Sequence, residues 1–160
     1  MVRDALVVAL TLLIGLLLTL WSQAQLGMSQ LVDWLALIIL YWVIALPTRV
    51  GLIYTITSGL AFDLMTTAPL GYHALVLVVV CVFGQLISLR MRKMDVFSQC
   101  ALVFFIVGLA HFVDTFLATL SGFTQAATSP LLTAFVSACM WPVILICLRF
   151  LRRSQGMTEW

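Results

Sequence analysis

Long apolar stretches, separated by short polar or turn-forming segments, run from one end of the chain to the other. Six such stretches can be distinguished, and none alternates with the two-residue period of a half-buried strand. Long apolar runs without this alternation favour helices over a membrane barrel. The sequence therefore predicts an all-α membrane protein of six transmembrane helices, covering approximately 5–21, 31–46, 50–65, 70–89, 98–120 and 131–151.

Two of the predicted helices are short for a membrane span. A helix needs about 17–25 residues to cross the hydrocarbon core of a bilayer. The segments 31–46 and 50–65 lie just below that limit. We expect them to cross with the help of their flanking residues or of a locally thinner bilayer. Residues 1–160 are predicted to form a single integral membrane domain.

Composition excludes a water-soluble domain. Of the 160 residues, 64% are hydrophobic and only 9% are charged, which is too few charges to cover a soluble surface. The four cysteines lie in or beside apolar runs and lack the paired spacing of a zinc site. We therefore expect them to be packing residues, with no disulfide, metal or cofactor.

The positions of the basic residues predict the topology. With six spans, every lysine and arginine falls on the same side of the membrane. Cytoplasmic loops carry the positive charge, so both termini are predicted to be cytoplasmic. We expect the N-terminal apolar segment to be a span and not a cleaved signal peptide. The basic residues are Arg3, Arg49, Arg90, Arg92, Lys93, Arg149, Arg152 and Arg153.

A stripe of small residues ends in an acid on the third predicted helix. Gly51, Thr55, Gly59 and Asp63 are each four residues apart, so they lie on one slowly drifting face. Small residues at this spacing let another helix approach closely, which favours a site for a partner helix. Asp63 has two local alternatives: it faces water, or it caps backbone N–H groups of the following turn. A solute or proton site is a further alternative.

A second pair of ionisable residues lies on the fifth predicted helix. His111 and Asp114 are three residues apart and share a face. An ionised Asp114 in lipid is costly, so it must be paired, hydrogen-bonded, protonated or turned toward a cavity. The alternatives are a polar clasp between helices, a solute pocket or proton relay, and a metal half-site. Tyr72 and His73 are predicted to belong to an interfacial belt.

No arrangement of residues predicts an enzyme. The chain has no serine with a plausible base, no glycine-rich phosphate loop and no carboxylate pair at hydrolase spacing. Arg49, at the predicted inner interface, is expected to contact either lipid phosphates or a cytoplasmic partner. We expect the lipid bilayer to surround the protein, and we expect no nucleic-acid partner.

Three short motifs follow one another in the segment 41–75, namely Leu46-Pro47-x-Arg49, Gly59-x-x-x-Asp63 and Leu70-Gly71. With these motifs, the segment resembles the MreD family, the small membrane subunit of the bacterial rod-shape elongation machinery. The size, the six predicted spans, the basic tail and Trp141-Pro142 in the last helix are also similar to those of the family.

The resemblance implies a non-enzymatic protein of the bacterial inner membrane that binds MreC. The pair would link MreB filaments to the glycosyltransferase RodA and its class B penicillin-binding transpeptidase. The family fold is thought to be similar to the S subunits of energy-coupling-factor transporters, so the alternative function is solute binding in a membrane transporter. Short outer loops argue against this alternative, because they offer little to enclose a ligand. A homodimer is a further alternative for the assembly of the protein.

Overall fold

Six helices make up the described part of the chain. The computed structural model describes residues 2–25, 31–47, 50–66, 68–122 and 129–154, and these ranges contain no strand. The predicted all-helical class is therefore confirmed for these residues. The helices are α1 Val2–Gln25, α2 Trp34–Ala45, α3 Leu52–Met65, α4 Tyr72–Met91, α5 Val96–Ser121 and α6 Pro130–Ser154.

Four of these helices are long and apolar enough to cross a membrane, namely α1, α4, α5 and α6. The other two are shorter than predicted, with 12 residues in α2 and 14 in α3. At a rise of 1.5 Å per residue they reach only about 18 and 21 Å, whereas the hydrocarbon core is about 30 Å thick. The predicted starts at 31 and 50 were too early, because Asp33 and Gly51 are the N-cap residues of these helices.

The short helix α2 occupies the centre of the bundle. It packs against α1, α4 and α6, while α3 packs on α4, and α5 packs on both α4 and α6. Ten of the 12 residues of α2 are buried, with no polar face. A helix that is apolar all round is one surrounded by protein or lipid. Here the neighbouring helices surround α2, so it does not need the length of a lipid-spanning helix.

Side chains cap both ends of α2 and bind some of the terminal backbone groups that a helix leaves without an internal partner. At the N-terminus, the Asp33 carboxylate accepts a hydrogen bond from the backbone N–H of Ala36 at 3.1 Å. At the C-terminus, Arg92 donates from Nε to the carbonyl oxygen of Ile44 at 2.9 Å and from Nη2 to that of Ala45 at 3.2 Å. A cation at this position also interacts favourably with the helix dipole.

Two further hydrogen bonds attach α2 to its neighbours. The Trp42 indole N–H donates to the Thr11 hydroxyl of α1 at 2.8 Å. The backbone N–H of Asp33 donates to the Ser137 hydroxyl of α6 at 3.1 Å. Polar bonds between apolar helices add to packing where the hydrophobic effect is weak, as it is in a membrane. The central helix is thus held by specific hydrogen bonds to α1 and α6.

Candidate functional site at the acidic end of the bundle

The small-residue stripe of α3 faces α4 of the same chain. Thr55 is fully buried, and a Cβ built on Gly59 would lie 2.3 Å from the Cα of Ala74. A Cβ on Gly51 would lie 3.3 Å from Nε2 of Gln85, also on α4. Glycine at 59 is therefore what lets the two backbones touch. The close approach that the spacing predicts is made inside the chain.

Asp63 lies at the end of this stripe and caps the turn that joins α3 to α4. Its side chain is buried, and its Oδ2 accepts from the backbone N–H of Gly71 at 2.8 Å. Its Oδ1 accepts from the backbone N–H of His73 at 3.0 Å. Gly71 has φ +90°, a backbone conformation that glycine adopts without strain. The carboxylate thus makes the backbone contacts of the local alternative, and it does not face water.

The imidazole of His73 completes the arrangement around Asp63. His73 Nδ1 lies 2.8 Å from Asp63 Oδ1, so a proton on Nδ1 is needed for this hydrogen bond to an ionised acceptor. The ring makes edge contacts with Phe62 and Tyr72, with ring centroids 4.4 and 5.0 Å away. The sequence-based prediction of an interfacial belt was wrong for both Tyr72 and His73, because both side chains are buried and form hydrogen bonds inside the protein.

His111 and Asp114 share a face of α5 but have different neighbours. His111 Nε2 lies 3.6 Å from Asp33 Oδ2, at the start of α2. This distance is too long for a hydrogen bond, although the two groups face each other in a largely buried site. The Tyr72 hydroxyl donates to the backbone carbonyl oxygen of Asp114 at 2.8 Å. The pair therefore connects α5 to the N-terminal ends of both α2 and α4.

Asp33 is the member of this site that the sequence reasoning missed. An acid directly before an apolar run is a helix-start signal, and that signal would have identified it as the N-cap of α2. Its pairing with His111 has no local signal, because the two residues are 78 positions apart. We call the whole group the acidic-end cluster: Asp33, Asp63, Tyr72, His73, His111 and Asp114.

The acidic-end cluster holds helix ends together. Tyr72 and His73 begin α4, Asp63 lies in the last turn of α3, and Asp33 directly precedes α2. The contacts within the cluster therefore join four helices at one end of the bundle. Within the described ranges, no three His, Cys, Asp or Glu side chains come close enough to hold a metal ion. Of the other predicted site residues, Leu70 is exposed in the turn and Arg49 lies outside the described residues.

Comparison with known proteins identifies the family. The family model described as rod shape-determining protein MreD matches residues 2–151. This chain belongs to the MreD family. A rod shape-determining protein MreD of Haemophilus influenzae is 34% identical to it over 124 residues, which cover 76% of this chain and 75% of the relative. No solved structure matches the chain, so the expected likeness to S subunits stays a prediction.

Membership of the MreD family confirms the resemblance and makes this a rod shape-determining membrane protein. The motif residues that carried the resemblance have a physical role in the fold. Gly59 admits the backbone of α4, and Asp63 and Gly71 form the turn that brings α4 back along α3. This part of the motif thus describes a helical hairpin.

Proposed function

We propose that the protein is a non-catalytic adaptor of the bacterial inner membrane, with both termini cytoplasmic, that binds MreC. Through MreC it helps link MreB filaments to peptidoglycan synthesis by RodA and its class B penicillin-binding transpeptidase. Family membership supports the role in rod-shape determination. The observation that favours an adaptor is the acidic-end cluster, whose side chains bind one another and backbone groups in a way suited to a rigid scaffold.

The surface offered to MreC is proposed to be an outward apolar helix face. The inward stripe of α3 is occupied by α4, so a partner helix would have to contact residues such as Ile53 and Leu64 on the opposite side, which are 78% and 74% exposed. On α5, Phe105 and Phe112 are exposed in the same way and lie seven residues apart, two turns along one face. Either face would let a single helix pack lengthwise.

Cysteine cross-linking to the membrane helix of MreC tests this proposal. Single cysteines would replace Ile53, Leu64, Phe105 or Phe112 in a background without the native cysteines, and Thr55→Cys would serve as the inward control. We expect cross-links from the outward positions of one helix and none from Thr55→Cys, which is buried against α4. Absence of cross-links from all four outward positions, with both proteins present at normal levels, would contradict the placement of MreC on α3 or α5.

A thermal-stability screen distinguishes the adaptor from a solute-binding subunit. A ligand that binds only the folded protein raises its melting temperature by mass action. We expect no vitamin-like compound to raise the melting temperature of the purified protein, whereas co-purified MreC should do so. Stabilisation by such a compound at micromolar concentration would favour the transport alternative instead.

A further inference from the structure

A small cavity opens at the end of the bundle opposite the acidic-end cluster. Its volume is about 50 Å³, and it lies where α2, α4 and α6 meet. Trp141 forms a buried part of its lining, while Arg92, Arg149 and Arg152 bring three guanidinium groups to it. None of the described residues that line this cavity is acidic. It therefore combines an apolar base with a concentration of positive charge.

We propose that this cavity binds the phosphate group of an anionic phospholipid. Guanidinium groups match the geometry of phosphate oxygens and form charge-assisted hydrogen bonds with them. Arg149 and Arg152 are three residues apart on α6, so they reach the cavity from the same helix face. Arg92 reaches it from the C-terminal end of α4. Three arginines from two separate helices thus surround one small space.

The walls of the cavity are held in place by hydrogen bonds. The Gln99 amide donates to the carbonyl oxygens of Met91 and Met94 at 3.0 and 3.1 Å, and its Oε1 accepts from the Trp141 indole N–H at 3.1 Å. Arg92 is fixed by its bonds to the last carbonyl groups of α2. A ligand that enters such a preformed site loses little free energy in ordering the protein.

The size and position of the cavity favour a lipid headgroup. A volume of about 50 Å³ holds one small group such as a phosphate, since about 10–15 Å³ on the same measure is enough for one water molecule. The rest of the ligand must stay outside, where Ile146 and Phe150 of α6 are exposed apolar side chains beside Arg149. A phospholipid satisfies both conditions, because its acyl chains pack on such a surface while its phosphate enters the cavity.

The proposal is tested by lipid titration of the full chain purified in a neutral detergent. Phosphatidylglycerol, phosphatidylcholine and inorganic phosphate would be added in separate series, with melting temperature and lipid-bound mass in native mass spectrometry as the two measurements. We expect phosphatidylglycerol to raise the melting temperature and to remain bound. The double variant Arg149→Gln, Arg152→Gln should bind it about tenfold more weakly, because charge-assisted hydrogen bonds are lost.

Arg153→Gln is the matched control. It removes one positive charge from the same helix end, against two in the double variant, and Arg153 does not line the cavity. We expect this variant to bind phosphatidylglycerol as the unmodified protein does. A loss of about threefold or more in Arg153→Gln, which is at least half of the double variant's effect on a free-energy scale, would mean diffuse attraction by charge and would overturn the site. An equal rise in melting temperature with phosphatidylcholine would overturn it too. Saturation by inorganic phosphate, with no further effect of phosphatidylglycerol, would assign the site to free phosphate and overturn the lipid assignment.

Discussion

At the scale of single residues, the α3–α4 hairpin depends on Gly59 and Asp63. Gly59 permits the contact between the two helix backbones, and Asp63 accepts hydrogen bonds from backbone N–H groups where the chain turns. Both are buried, so neither has freedom to adapt when it is changed. Substitutions at these positions should therefore act on the stability of the fold.

Replacement of Gly59 by alanine is expected to destabilise the protein by about 1–3 kcal/mol, because the new methyl group would overlap the backbone of Ala74. The control is Gly108→Ala on α5, where the added Cβ would lie 3.7 Å from the Ala134 Cβ, an ordinary contact. That variant should be neutral or stabilised by up to about 1 kcal/mol through helix propensity. Unfolding by titration with sodium dodecyl sulfate measures both, and equal effects would contradict the backbone contact.

Replacement of Asp63 by alanine is expected to lower the free energy of unfolding by about 2–3 kcal/mol. The reason is that the N–H groups of Gly71 and His73 would lose a charged acceptor inside the protein. Asp63→Asn keeps one acceptor oxygen, so its free energy of unfolding should lie between those of the unmodified protein and of Asp63→Ala. Leu64→Ala, at an exposed neighbouring position, is the control. If Asp63→Ala unfolds at the same detergent concentration as the unmodified protein, the capping role is wrong.

At the scale of elements, the central helix α2 is the unusual one. It is too short to cross a bilayer unaided, and its ends are satisfied by Asp33 and Arg92 inside the bundle. Irregular backbone at membrane depth is tolerated only where protein or a water-filled cavity surrounds it. The side-chain caps therefore act together with the burial of the helix, because they bind terminal backbone groups that the bundle keeps from the lipid.

Removal of the guanidinium in Arg92→Gln is expected to destabilise the protein by about 1–2 kcal/mol, because the last carbonyl groups of α2 would lose a charged donor. Arg90→Gln removes an exposed arginine from the same helix end and is expected to change little. Thermal unfolding in detergent, followed by tryptophan fluorescence, compares the two variants. Equal effects of the two substitutions would show that the loss of one positive charge, and not the loss of the cap, causes the destabilisation.

At the scale of the whole molecule, the described bundle has a cluster of acids at one end and most of its basic residues at the other. The acidic-end cluster contains Asp33, Asp63 and Asp114, whereas Arg90, Arg92 and Lys93 follow at the opposite end of α4. The positive-inside rule assigns the arginine-rich end to the cytoplasm. The helix α5, with 26 residues or about 39 Å, is long enough to carry the chain from one side to the other.

Cysteine labelling in intact cells is expected to place the two ends of α5 on opposite sides of the membrane. In a background without native cysteines, Ser121→Cys should react with a membrane-impermeant maleimide from the periplasm. Lys93→Cys should react only after the inner membrane is opened, since it lies in the basic loop; both positions are exposed. The reverse pattern of labelling would invert the predicted topology.

Much of this molecule follows from local patterns in the sequence. The apolar runs predicted the all-helical class and the approximate place of each helix, because hydrophobicity and turn residues act over short distances. The motif around Gly59 and Asp63 was visible in the same way, and it predicted the family. The starts of α2 and α3 were misplaced, since apolar residues continue past the N-caps Asp33 and Gly51.

What the sequence determined by itself is therefore the membrane class, the approximate positions of the helices and the family. Only the tertiary structure decided which helix is central, that the stripe on α3 faces α4, and that Asp33 lies against His111. The physical reason is that these are contacts between residues far apart in the chain. In a chain that is apolar nearly everywhere, hydrophobic pattern does not distinguish a helix facing lipid from one facing protein. Side-chain packing and paired polar groups determine which helix faces protein and which faces lipid.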